Sequence, residues 1–133
     1  MKDLGIDQAR IASAVNLVVA QRLVRTICAD CRKTYKPKAA DLEKLGLEKD
    51  AEITYVHGTG CETCMNTGYY GRLAIFEMLE VTDKLRSFLE TNAATTAIRE
   101  AARDNGMRSL REEGLRQIRN GVTTVEEVIR VTT

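Results

Sequence analysis

The chain carries its only four cysteines as two Cys-x-x-Cys pairs, Cys28 and Cys31 in TICADCRKTY and Cys61 and Cys64 in GCETCMNTGYYGR. A Cys-x-x-Cys turn brings two sulfurs to one side of a tight loop, with backbone N–H groups free to donate to them. Two such knuckles complete a tetrahedron around a borderline-soft cation, with metal–sulfur distances of about 2.3 Å for zinc. Gly58, Gly60 and Gly68 flank the second pair and supply the backbone freedom a tight turn requires. Four thiolates leave no open coordination position, so the predicted site is structural rather than catalytic. Zinc is the expected ion, and iron in a rubredoxin-like centre would use the same ligands. The competing readings are four unrelated buried thiols or a redox-active pair. A thioredoxin-like pair should open a helix after a strand, whereas Cys28 follows the end of a predicted helix. His57, the lone histidine, is expected at the surface or behind the ligands.

The stretch from Ile27 to Arg72 has few large apolar side chains and cannot bury enough surface to offset its conformational entropy. Structural zinc in small modules supplies about 10–16 kcal/mol of apparent binding energy. The metal is therefore the expected core of this subdomain.

Charge excludes one broad class. With 20 basic and 19 acidic side chains in 133 residues the net charge is +1, whereas a general nucleic-acid binder should be clearly basic. Arg22, Arg25, Arg32, Lys33, Lys36 and Lys38 form a local basic patch, read as a solvated face. The opening MKDLGIDQARIAS has no charged region leading into an apolar one, and AVNLVVA is too short to span a bilayer. A cytosolic setting is expected, where structural disulfides are rare.

Hydrophobic periodicity predicts one long helix from Asp7, its N-cap, to about Arg25, with Ile11, Val15, Val18 and Arg22 at helical spacing. AADLEKLG predicts a short helix closed by Gly46 in the left-handed conformation. EITYV reads as a strand, and RLAIFEMLEV as a second, largely buried one. Beyond Thr82 the pattern predicts four short helices at about 83–91, 95–104, 109–120 and 124–131. Ser109 with Glu112, and Thr124 with Glu127, look like capping boxes, and Gly106 and Gly121 stand where helices should end. The fold class expected is α+β and mostly helical: a long N-terminal helix, a small metal-stapled β/loop subdomain and a C-terminal bundle of short helices.

No phosphate-binding G-x-x-x-x-G-K-[ST], no G-x-G-x-x-G and no H-E-x-x-H is present. Glu112/Glu113 and Glu126/Glu127 look like helix-start charges favoured by the dipole. By its own residues the chain reads as non-catalytic.

AQRLVRTICADC, GCETCMNTGYYGRLAIFEML and IREAARDNGMRSLREEGLRQIRNGVTTVEEVIRVT occur in that order, at separations that resemble the end of the type II secretion and type IV pilus assembly ATPases. The resemblance covers nearly the whole chain and is weakest between Cys31 and Cys61. It implies a cytoplasmic hexameric motor, peripheral at the inner membrane, that hydrolyses ATP with Mg²⁺ to drive pseudopilus or pilus assembly. The Walker and histidine boxes of such a motor lie upstream of the matching part, so no catalytic residue carries over. The metal ligands carry over to Cys28, Cys31, Cys61 and Cys64. Residues 1–26 are then the tail of a RecA-like domain, 27–81 a tetracysteine zinc subdomain and 82–133 a helical subdomain. The implied partners are an upstream RecA-like core, neighbouring subunits and inner-membrane platform proteins, with no nucleic acid. Arg22 and Arg25 match the family's Gln-Arg-Leu-Val-Arg stretch, though nothing in the residues assigns them to ATP. Two other classes compete: a zinc-ribbon nucleic-acid module, suggested by RKTYKPK, and a zinc chaperone module. CETCMNTGYYG loosely resembles the repeats of the DnaJ cochaperones, but its glycines are displaced.

Overall fold

The computed structural model describes residues 5–47, 53–91 and 93–132. In chain order the elements are α1 (Gln8–Ala14), β1 (Leu17–Ile27), β2 (Arg32–Thr34), α2 (Ala39–Leu45), β3 (Val56–Gly58), β4 (Tyr69–Glu80), α3 (Asp83–Glu90), α4 (Thr95–Asp104), α5 (Leu110–Arg119) and α6 (Val125–Thr132). The class is α+β, as the sequence predicts. β1 pairs with β4 in one two-stranded sheet and β2 with β3 in another.

The long N-terminal helix is not formed. A helix of seven residues ends at Ala14, Val15 turns extended, and the rest of the apolar run is the eleven-residue strand β1. Asp7 stands at the helix N-cap without a side-chain capping bond. The physical reason lies in Val15, Val18, Val19, Val24, Thr26 and Ile27, whose β-branched side chains favour extended backbone. A strand apolar on both faces also carries no alternation, so its periodicity resembles that of a helix apolar all round.

The chain packs as two compact units, one of Met1–Ala20 with Glu77–Ser109, the other of Gln21–Phe76 with Leu110–Thr133. This division cuts across the expected segments 1–26, 27–81 and 82–133. In the first unit Val81, Leu85, Ala101 and Ala102 form the core, with Val15, Leu79, Phe88, Leu89, Ile98 and Met107 packed against it. Thr82 caps α3 by accepting from the Leu85 N–H at 3.4 Å. Gly106, at φ 87°, ends α4 in the left-handed region. Asn16, the polar residue inside the apolar run, accepts from the Arg86 guanidinium at 3.3 Å, and Arg86 also donates to the Ala12 carbonyl. That pair of bonds holds the end of α1 against α3.

In the second unit β2 and β3 are antiparallel, with Arg32 opposite Gly58, Lys33 opposite His57 and Thr34 opposite Val56. The strand expected over EITYV thus begins only at Val56, although the Tyr35 N–H donates to the Tyr55 carbonyl at 3.0 Å; Glu52 lies outside the described residues. α2 ends as expected at Gly46, with φ 68°. Leu42, Leu45 and Leu47 pack with Ile118, Val125 and Val128 in a core joined by Ile53, Tyr55, Leu115 and Ile129. The insert between the cysteine pairs therefore has an apolar core of its own, shared with α5 and α6. β4 is less buried than expected: among its residues only Ile75 is fully buried, and Phe76 and Met78 are exposed.

Candidate metal centre

Two turns deliver the sulfurs. β1 ends at Ile27, placing Cys28 and Cys31 in the tight turn before β2. Cys61 and Cys64 lie in the turn between β3 and β4, where Met65 and Asn66 adopt positive φ (49° and 61°) and the Asn66 N–H closes on the Cys61 carbonyl at 2.8 Å. The two turns are tied together by backbone. The Cys28 N–H donates to the Gly68 carbonyl at 3.0 Å, and the Thr59 N–H to the Cys31 carbonyl at 2.9 Å. Gly58 and Gly68 pass so closely that a Cβ on either would collide with the other's carbonyl oxygen. Only glycine allows this approach.

The result is one cluster of four sulfurs within 4.8 Å of one another. Cys28 to Cys61 and Cys31 to Cys64 each measure 3.8 Å, and Cys61 to Cys64 measures 3.7 Å. A tetrahedron with metal–sulfur bonds of about 2.3 Å has edges of about 3.8 Å. A disulfide would need about 2.0 Å, and all four thiols are free. The electrostatics agree with a cation site. Burial pushes the Cys31 thiol up to about 11, and raises Cys28 as well. Burial opposes ionisation of Cys64 too, but N–H bonds from Cys61 and Gly68, both 3.2 Å, bring it down to about 6. One thiolate is thus organised by backbone dipoles, while ionising its neighbours in the same space requires a positive charge among them. The four cysteines can hold a metal ion, and their all-sulfur donor set suits zinc or iron.

His57 is not part of this cluster. Its ring stacks on Tyr35, with centroids 4.6 Å apart and planes at 21°. The six basic patch residues are all exposed. Arg22 donates to the Gln21 carbonyl, while Arg25 takes part in a network the sequence did not reveal. The Glu127 carboxylate, with no side-chain exposure, accepts from Arg25 Nε at 2.9 Å, Arg25 Nη2 at 2.7 Å and the Arg25 backbone N–H at 3.1 Å. Arg130 binds the same carboxylate from one turn along α6. Burial would raise the Glu127 pKa, but the bonds from Arg130 and Arg25 hold it down at about 2. The Arg25 guanidinium also lies 4.1 Å over the Tyr69 ring, whose hydroxyl shares a 2.8 Å bond with Thr124. Thr124 does cap α6, accepting from the Glu127 N–H at 3.3 Å. The second half of the predicted capping box fails because Glu127 is occupied by arginines. Leu23, Arg25, Arg72 and Arg130 line an open cavity of about 480 Å³ beside this network. Only the spacing of Glu127 and Arg130 hinted at it in the sequence.

Residues 1–130 match the family described as Type II/IV secretion system protein. The chain is similar to the Type IV pilus assembly ATPase PilB of Thermus thermophilus, 42% identical over 132 residues, which are 97% of this chain and 15% of that protein. It is also similar to the Type II secretion system protein E of Pseudomonas aeruginosa, 38% identical over 130 residues, covering 98% of this chain and 26% of that protein. The Type II secretion system ATPase E of Vibrio cholerae is 36% identical over 132 residues, covering 99% of this chain and 26% of that protein. The chain thus spans about a quarter or less of the length of these relatives.

Proposed function

Because the chain belongs to the Type II/IV secretion system protein family, we propose that it serves as the zinc-stapled, non-catalytic carboxy-terminal module of a cytoplasmic hexameric ATPase that powers type II secretion or type IV pilus assembly. Cys28, Cys31, Cys61 and Cys64 are its zinc ligands. The observation that carries this reading is the cluster of four sulfurs within 4.8 Å of one another, three of its spacings being 3.7–3.8 Å, in a chain similar to named secretion and pilus ATPases. Bound there, zinc links β1 to the turn before β4 and substitutes for apolar core around the knuckles. The residues of this chain fold and present the module, while ATP and Mg²⁺ bind in the longer parent, which acts beside inner-membrane platform proteins. The upstream core of that parent is the partner of β1 and β4. Leu17, Val18, Val19 and Leu23 on β1, and Phe76 and Met78 on β4, are 41–55% exposed, and relatives several times longer supply the chain to cover them. No helix among the described residues is long and apolar enough to cross a membrane.

Elemental analysis of protein purified without chelator tests the reading. One zinc per chain is expected, together with no ATP turnover above a buffer blank. Absence of stoichiometric metal, or a nucleotide that co-purifies, would overturn it.

A further inference from the structure

We propose that Cys61 is a peroxide-sensitive trigger of this centre: its oxidation to a disulfide with a neighbouring ligand breaks the four-sulfur set and frees the metal. This inference rests on the zinc reading above. Cys61 differs from the other three ligands in exposure, being part-exposed where Cys28, Cys31 and Cys64 are buried. Cys64, by contrast, is buried, and its sulfur accepts from the backbone N–H groups of Cys61 and Gly68, both at 3.2 Å. The part-exposed sulfur of Cys61 is therefore the one a small oxidant in solvent reaches first. Its reaction partner is already in place, since Cys61 Sγ lies 3.7 Å from Cys64 Sγ and 3.8 Å from Cys28 Sγ.

The chemistry balances with a hydroperoxide as the oxidant. The Cys61 thiolate attacks one peroxide oxygen and the O–O bond breaks. Sulfur keeps that oxygen as a sulfenic acid, and the other leaves as hydroxide. The thiolate of Cys64 or Cys28 then attacks the oxidised sulfur, forming the S–S bond and expelling the second hydroxide. With two protons from solvent, two thiolates and one hydrogen peroxide give one disulfide and two waters. Two ligands are lost in the exchange, and the remaining pair cannot enclose a four-coordinate ion.

Zinc-loaded protein is treated with hydrogen peroxide while a chromophoric chelator reports release, and a 1,3-dicarbonyl reagent traps sulfenic acid for peptide mapping. Zinc should leave as a disulfide containing Cys61 accumulates, and the trap should label Cys61 first. Cys61→His keeps a zinc-binding Cys₃His set without the exposed thiolate, and its release should be slower by about tenfold or more. Cys28→His keeps Cys61 and should release zinc within about twofold of the wild-type rate. Zinc retained under excess peroxide, label appearing first on another cysteine, or equal slowing in both variants would overturn the proposal. If either variant fails to load, the label position in the wild-type protein decides. A wild-type chain that never holds zinc would instead overturn the function proposed above, so the two failures are distinguishable.

Discussion

Gly46, Gly58 and Gly68 show how differently glycines of one chain can be constrained. Gly46 closes α2 at φ 68° with nothing near its missing Cβ, so Gly46→Ala should cost only about 1 kcal/mol, the intrinsic penalty of the left-handed region. Gly58→Ala drives a methyl into the Gly68 carbonyl and separates the backbone that holds the two knuckles together. It should cost about 3 kcal/mol or more and weaken metal retention, measured by denaturation and by chelator competition. Equal penalties at the two sites would show that the close crossing is unimportant. Glu127 supports a second residue-scale prediction. Its folded pKa, about 2, lies below the ordinary 4.5, so its contribution is present above about pH 4.5 and is lost as pH falls toward 2. With both arginines about half exposed, the contribution is about 2 kcal/mol after allowance for solvent screening. Glu127→Gln should lose that stability at pH 7, with the gap to wild type narrowing below about pH 4.5. A gap independent of pH would mean that the ionised carboxylate is not what the arginines require.

Among the elements, β1 carries the most unmet demand for burial. Leu17, Val18, Val19 and Leu23 are each near half exposure, while Val24 in the same strand is fully buried. Covering such side chains completely is worth about 1.5–3 kcal/mol each from full exposure, and therefore about half of that from here. Leu17→Asp should weaken self-association, and binding to a separately expressed upstream ATPase core, without changing zinc content. Sedimentation of a strict monomer with no affinity for that core would remove β1 as a docking element. The sequence located this apolar stretch but assigned it the wrong backbone. Periodicity separates helix from strand only when one face is polar, and LVVAQRLV offers no such face. The later helices were legible because Thr82, Gly106, Thr124 and Gly121 punctuate an amphipathic pattern at their ends.

For the whole molecule, the two packing units predict how metal loss should spread. Chelation should raise amide exchange through residues 27–69 and also in α2, α5 and α6, whose cores belong to the same unit as the knuckles. α3 and α4 pack around Leu85 and Ala102 in the other unit and should keep more protection. Equal loss of protection throughout would mean that the units unfold together. The sequence by itself marked the four cysteines that the fold gathers into one cluster, since each Cys-x-x-Cys turn with glycines beside it carries its geometry locally. It also determined family membership and the α2–α6 helices, each marked by caps and spacing within a few residues. Tertiary structure alone decided that the opening apolar run is a strand, because its pairing partner, β4, begins more than forty residues further along the chain. It likewise decided that Glu127 is a buried anchor for Arg25 rather than a capping residue. The bond joins positions 102 residues apart, and no local pattern can encode a contact whose energy exists only once both elements have folded.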